Sequence, residues 1–334
     1  MNSFGRIFRI HIFGESHGEK IGVSIDGCPA GIPLQAGDFE KDLARRRSGA
    51  KGTTARKEAD LPMLISGVYK GYTSGSPIVV LFDNADVRSS DYSVFNEIPR
   101  PGHADFTATK KWKGFNDLRG SGHLSGRITL GMVAAGVLAK KITAPVEIQA
   151  NILSVGGTTD WDAELEKVIA EGDSLGAIVE CRARHIPAGL GEPFFDSLES
   201  LISHLIFAVP AVKAIEFGAG FEAARMKGSQ HNDVYIPADA GFSDEQGKTA
   251  TNHAGGINGG ISNGNELVFR IAVKPTSSIG IPQKTMNMKT GTMTELHIAG
   301  RHDACIALRM PVIAEAATAI VLADLLLLHK AMSL

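Results

Sequence analysis

Cysteine is scarce: the 334 residues hold three, Cys28, Cys181 and Cys305, far apart and odd in number. That excludes a disulfide framework and a thiolate metal cage, and points to a reducing, cytoplasmic setting. HxxxH, HExxH and CxxC spacings are missing, so His302 beside Asp303 is not read as a metal-ligand pair. P-loop and GxGxxG patterns in a strand-to-helix context are missing as well. Only four Tyr and two Trp occur, and no Lys/Arg stripe runs between aromatics, so nucleic acid is not an expected partner. The longest apolar tract, Ile320 to Leu328, is broken by Asp324 and is too short to cross a bilayer, so no membrane partner is expected. No basic-then-apolar leader is read at the start, because Arg6 and Arg9 fall inside an alternating strand pattern.

The balance that remains is that of a globular protein, 43% hydrophobic and 21% charged. Net charge is −2, unevenly spread: residues 1–130 carry 18 Lys+Arg against 14 Asp+Glu, and the acidic excess lies beyond them. A mildly basic first part suits anionic small molecules.

One stretch organises the chain. Phe8, Ile10 and Ile12 alternate with Arg9, His11 and Phe13 as in a half-buried strand. The strand runs into Gly14-Glu15-Ser16-His17-Gly18, where glycines turn the backbone and present an acid, a hydroxyl and an imidazole together. Alone, these five residues also read as a polar turn. Ile21 to Ile25 is the expected neighbouring strand, and Asp38 is expected to cap a helix with Phe39 and Leu43 on its inner face. That helix ends at Arg45-Arg46-Arg47, followed by a basic loop to Lys57 that either solvates a helix end or closes over an anion. Pro99-Arg100-Pro101-Gly102-His103-Ala104-Asp105 is a stiff loop presenting Arg, His and Asp. Ser125 is expected to cap a helix reaching about Lys141, with Arg127 in the first turn, where it is either an ordinary surface residue or part of an anion site.

The second half repeats a plan. A strand, then Pro187-Ala188-Gly189, then a helix from about Ser197 to Phe207 echoes the strand, Pro29-Ala30-Gly31 and helix of the first half. Strands are expected over Ala177–Arg184, Val212–Phe217 and Leu267–Val273. Gly-rich residues 253–264 and Lys274-Pro275-Thr276-Ser277-Ser278 could approach and hold a phosphorylated ligand. A long helix from Pro311 to about Lys330 is apolar on most faces and is expected to be buried.

Taken in order, these motifs closely resemble the chorismate synthase family: Gly14-Glu15-Ser16-His17-Gly18, Arg45-Arg46-Arg47, Arg100 to Asp105, Ser125-x-Arg127-x-Thr129, Gly259 to Gly264, Lys274 to Ser278 and Arg301-His302-Asp303-x-Cys305. The resemblance runs from Phe4 to about Leu328. It implies an α+β fold, a β-α-β sandwich with internal pseudo-duplication, as a single domain over 1–334. The implied activity is the last shared step of aromatic biosynthesis, in which 5-enolpyruvylshikimate-3-phosphate (EPSP) loses phosphate in a 1,4-elimination. The implied cofactor is reduced FMN, and the implied assembly is a homotetramer. Flavin reduction would come from an external flavin reductase, with reduction by NADPH on the chain itself as the alternative.

The resemblance also implies roles. His17 would protonate or hydrogen-bond the departing phosphate, His103 would supply a proton to the flavin, and Asp303 would assist hydrogen removal. Ser16, Arg46, Arg47, Arg56, Arg100, Arg127 and Arg301 would bind the anionic substrate. His123, Leu124, Ser125, Pro210, Ala211, Gly259, Lys274 to Ser278 and Arg301 would bind FMN. The chain departs from the family's Arg-Ser-Ser-Ala-Arg-Glu-Thr at His123, Leu124, Gly126 and Ile128, and carries Lys51 where the family has an Arg. Two other classes fit parts of the pattern. A hydrolase could pair Ser16 with His17, although neighbours on an extended strand face opposite ways. A non-catalytic flavin- or phosphate-binding module could use the glycine loops alone.

Overall fold

The computed structural model describes residues 1–86, 89–237, 247–298 and 302–332. The first half builds β1 (Ser3–Phe4), β2 (Arg9–Gly14), β3 (Lys20–Asp26), α1 (Glu40–Arg46), β4 (Met63–Ser66), a small hairpin of β5 (Val68–Tyr69) and β6 (Tyr72–Thr73), β7 (Ile78–Asp83), α2 (Asp105–Lys111) and α3 (Thr129–Thr143). The second half builds β8 (Glu147–Val155), α4 (Asp162–Glu171), β9 (Ala177–Arg184), α5 (Leu198–Phe207), β10 (Val212–Phe217) and α6 (Gly228–His231). It continues with the hairpin β11 (Ile257–Asn258) and β12 (Ile261–Ser262), then β13 (Leu267–Val273), the hairpin β14 (Gln283–Met286) and β15 (Met293–Leu296), and α7 (Met310–Met332).

Two antiparallel sheets form the outer layers, ordered β1-β2-β3-β7-β4 and β10-β13-β9-β8. Between them lie α3, packed on β2 and β3, and α7, packed on β8 and β9; the two helices pack most heavily on each other. This is the β-α-β sandwich of an α+β fold, and one apolar core runs through all three layers. The duplication is visible in the connectivity. Numbering the four main strands of each half in chain order, both sheets read first, second, fourth, third, with a helix (α1, α5) between the second and third strands. The two Pro-Ala-Gly turns fall at the same place in both halves, between the second strand and its helix.

The elements follow from alternation and periodicity. Ile21, Val23 and Ile25 of β3 and every second residue of β9 are buried. Helix α7 is buried from Val312 through Leu325 because it has apolar neighbours on all sides. Two expectations change here. The helical stretch Ile306–Met332 is long and apolar enough to cross a bilayer, but 78% of its most apolar window is buried inside the protein. The tract read from the sequence was the C-terminal part of this core helix. Asp38 lies within a 3-10 turn over Ala36–Phe39, where it accepts from Gln35 N at 2.9 Å, and α1 starts only afterwards. The turn competes with the cap because a short acidic side chain reaches back to a nearby N–H.

Helix α7 carries two buried carboxylates. Glu315 takes a bidentate pair from Arg45 at 2.6 and 2.7 Å, Lys140 at 3.1 Å and Ala150 N at 3.0 Å. Asp324 accepts from the backbone N–H of Arg6, Ile7 and Phe8 at 2.7–3.0 Å. The middle layer thus fixes the start of β8 in one half and the approach to β2 in the other.

Candidate functional site

The edges of both sheets open onto one cavity of about 730 Å³, within the few hundred to about 1,000 Å³ usual for small-ligand sites. Loops from five places in the chain reach it. Strand β2 ends at Gly14, and the following turn is set by Gly18 N on Glu15 O (3.1 Å) and by Asn84 Nδ2 on the carbonyls of Glu15 and Gly18 (3.0 and 2.8 Å). Ser16 lines the cavity. His17 is not among the residues that line it; it is buried behind Ser16, edge-on to the Tyr92 ring at 5.2 Å, and packs against Gly120. Tyr92 and Gly120 line the cavity. A Cβ on Gly120 would lie 2.5 Å from the His17 ring and 2.8 Å from Ser16 Oγ, so only glycine fits there.

The three consecutive arginines diverge. A helix advances about 100° per residue, so Arg45 meets Glu315, Arg46 points into the cavity and Arg47 turns away. Arg47 does not line the site; it ends α1, its N–H donating to Leu43 O and Ala44 O. Arg46 donates to Gly126 O at 2.7 Å and faces Asp60 at 3.8 Å. Burial first, then the charges of Arg309 and Arg127, push its guanidinium down to about 9. It stays cationic at neutral pH, and its crowding with two other arginines is what a bound anion would relieve.

Arg127, expected as an open anion ligand, is buried and taken up by the protein: it donates to Asp60, to Asn84 Oδ1 at 3.0 Å and to Asp83 O at 3.2 Å. Ser125 caps the 3-10 turn that precedes α3 by accepting from Arg127 N at 3.3 Å. Arg56 holds Ser16 through its Oγ (2.9 Å) and O (3.0 Å) and pairs with Glu58 at 2.7 Å.

The proline-bounded loop behaves as a rigid block. Arg100 clamps Asp105 through Nε and Nη2 at 2.8 and 2.7 Å, donates to Ser278 Oγ at 3.0 Å, and stacks over Phe95 at 4.3 Å. His103 Nδ1 lies 2.7 Å from Asp105 Oδ1, and its Nε2 lies 3.1 Å from Ser121 Oγ. Arg100 Nη2 also lies 3.1 Å from His103 Nδ1. Both atoms share Asp105, and the shorter contact makes Nδ1 the donor to the carboxylate. Burial alone would raise the Asp105 carboxyl, but hydrogen bonds from Arg100 and His103 outweigh it and hold it well below the usual carboxylate range.

The loop after β13 closes the site. Lys274 Nζ donates to Gly102 O at 3.0 Å and to Ser277 Oγ at 2.5 Å, and Ser277 also reaches Gly102 O at 2.8 Å. Burial and then the neighbouring Lys213 lower the Lys274 ammonium. Lys274 to Ser278, Pro210, Ala211, His123, Leu124 and Ser125 all line the cavity. Gly259 does not: it sits exposed in the β11–β12 turn. Arg301 lies outside the described residues. Asp303 lines the cavity, with Thr54 N at 3.0 Å on one oxygen and Arg309 on both, at 2.8 and 2.7 Å.

Asp60, Arg309, Thr54 and Ser121 belong to the site and were not singled out from the sequence. Arg309 alone left a signal, a cation two residues before the helix-starting Pro311. Among described residues, Arg46, Arg56, Arg100, Arg127, Arg309, Lys213 and Lys274 line the cavity against only Glu58, Asp60 and Asp303. Cations thus outnumber acids along its wall.

The sequence profile of the chorismate synthase family matches residues 8–327. The chain belongs to the chorismate synthase family. It is 58% identical over 331 residues to the chorismate synthase of Chitinophaga pinensis, covering 99% of this chain and 98% of that protein. With the chorismate synthase of Methanosarcina barkeri it shares 45% over 355 residues, 97% of this chain and 95% of that protein. A crystal structure of chorismate synthase superposes with a TM-score of 0.74 at 26% identity, covering 99% of this chain and 94% of that one. In family terms the chain is a lyase of aromatic amino acid biosynthesis, acting at the last step of the shikimate pathway.

Proposed function

We propose that the cavity binds EPSP and reduced FMN together, and that its residues carry the 1,4-elimination of phosphate that yields chorismate. The surplus of cations along the cavity wall is the observation that carries this reading. A substrate with one phosphate and two carboxylates needs several guanidinium partners. Arg46, Arg56, Arg100 and Arg309 have donor groups at the cavity wall, and Arg127 with Asp60 holds Arg46 in place.

The residues fit a flavin nucleotide. Thr276 Oγ1 is buried without a hydrogen-bond partner among the described residues, and it stands in the wall between Lys274 and Ser277. An unmatched hydroxyl beside an ammonium and two further hydroxyls suits a phosphate or ring carbonyl. Lys274, Thr276 and Ser277, with Lys213, would hold that end, and Met132, Leu205 and Val209 supply an apolar wall. When bound, reduced FMN supplies a transient electron that eases phosphate departure and is recovered afterwards.

The chain's own residues do the rest. His103, pinned through Nδ1 by Asp105, keeps Nε2 toward the cavity and can hold or release a proton there. His17, fixed between Tyr92 and Gly120 behind Ser16, would act on the departing phosphate from just outside the cavity wall. Asp303, clamped by Arg309 and Thr54, keeps its carboxylate oriented as an acceptor for the departing hydrogen. The crowded arginines lower the cost of gathering negative charge as phosphate leaves.

The test is replacement of each imidazole. His17→Ala and His103→Ala should each cost about tenfold or more in turnover while FMN still binds. Near wild-type rates for both would remove the proton-transfer roles. Assembly as a homotetramer and dependence on an external flavin reductase are part of the same proposal. Sedimentation at working concentration tests the first, and NADPH oxidation with FMN and no other reductant tests the second.

A further inference from the structure

We propose that the cavity takes up FMN together with a proton, which binds to His123, so that cofactor affinity falls as pH rises through the imidazole range. The inference rests on FMN occupying this cavity. His123 is half-buried and stands in the wall between the cavity and an adjoining pocket of about 260 Å³. Both of its ring nitrogens face oxygens: Nδ1 lies 2.8 Å from Gly14 O, and Nε2 lies 3.2 Å from Asn2 Oδ1. A carbonyl oxygen only accepts, and a neutral imidazole has one N–H to give. Only the imidazolium donates to both.

The turn ahead of the ring fixes it there. Gly122 is left-handed at φ +55°, and a Cβ on it would lie 2.0 Å from Asp117 O, so only glycine makes this approach. Gly122 O accepts from Ser16 N at 3.0 Å, and Gly14, whose carbonyl meets His123, ends β2. On the other side Asn2 O accepts from Ile12 N at 2.9 Å. The ring is pinned between the end of β2 and the Asn2 segment, with no nitrogen left for a ligand. What it offers the cavity is charge.

Losing the proton changes this arrangement. Nδ1 keeps its N–H toward Gly14 O, the shorter contact, while Nε2 becomes an acceptor and the Asn2 amide has to turn to present Nδ2–H. The wall has then lost one positive charge. An anion within about 4–6 Å favours a charged imidazole by about 1–3 pH units, and each unit is worth about tenfold in affinity. The step is an uptake: a solvent proton bonds to Nε2 when the phosphorylated ligand enters, and no electrons move. Glu15, Asp117, His103 and Asp105 share the side pocket with the ring, and His204 and the amino group of Met1 share the cavity. Arg119 pairs with Asp117 and Arg100 with Asp105, which leaves Glu15 as the unmatched acid of that pocket. His103 and His204 are imidazoles too, so position 123 itself has to be changed to assign the proton.

Two variants bracket the two charge states. H123R keeps a cation at every pH, and H123Q keeps a donor toward Gly14 O without charge. Titrating FMN fluorescence with each protein from about pH 5.5 to 8.5, the span of an imidazole, gives the dissociation constants. The wild type should match H123R in acid and approach H123Q in alkali, its ratio to H123R growing about tenfold across the range. The FMN phosphate, His103 and His204 are common to all three proteins and cancel in that ratio. Calorimetry of FMN binding in buffers of different ionisation heat gives a second reading that needs no H123R: the wild type should take up protons at neutral pH in excess of H123Q. A wild type parallel to either variant throughout, or equal proton uptake in wild type and H123Q, would overturn the proposal. Absence of FMN binding in all three proteins at every pH is a different result, which removes flavin from this cavity and the proposal with it.

Discussion

Arg127 donates to the carboxylate of Asp60, 67 positions earlier in the chain, and both side chains are buried. Asp60 also faces Arg46 at 3.8 Å, so one carboxylate organises two of the arginines at the cavity. The stability of the site and its charge are therefore coupled.

Arg127→Ala is expected to destabilise the protein by about 3–5 kcal/mol, because it strands Asp60 in a buried position with one distant partner. Denaturant unfolding of the variant measures this. Adding Asp60→Asn should restore part of the loss, since the stranded charge goes with it. An unchanged midpoint in Arg127→Ala would mean that the guanidinium is held for the ligand alone.

Asp324 ties α7 to the first half by accepting from three consecutive N–H groups ahead of β2. Asp324→Ala leaves those donors without their acceptor, at about 1–3 kcal/mol for each that water cannot reach, Phe8 N foremost. Hydrogen exchange should speed up first at Ile7 and Phe8. Unchanged exchange there would show that the strand is held by its sheet partners.

The Asp105 carboxyl is depressed in the folded state, so its contribution to stability is present above the ordinary carboxylate range. It is lost as pH falls through the lower folded value. The stability difference between wild type and Asp105→Asn should be widest near neutrality and should narrow below about pH 4. Unfolding curves at three or four pH values measure it. A gap that widens in acid would contradict the assignment.

Much of this was legible in advance because local signals and tertiary structure agree. Strands β9, β10 and β13 run over Ala177–Arg184, Val212–Phe217 and Leu267–Val273 as their alternation indicates. The repeated Pro-Ala-Gly marks the equivalent turn of two halves that share one connectivity. The cavity residues were legible where a motif carries several polar groups at once, as in residues 100–105 and 274–278. Asp60 was not, since a lone acid at φ +50° in an irregular segment has no pattern around it. Arg47 falls outside the cavity lining because adjacency in sequence says nothing about which way a side chain at a helix end points. Ser121 is a small residue among glycines, and only its distance to His103 gives it meaning.

The central claim is that one cation-lined cavity carries an elimination that needs both EPSP and reduced flavin. An anaerobic assay of EPSP with photoreduced FMN tests it most directly. The account predicts chorismate and free phosphate in equal amounts, and no turnover when the flavin is left out. Phosphate release without flavin, or no product with it, would contradict the account.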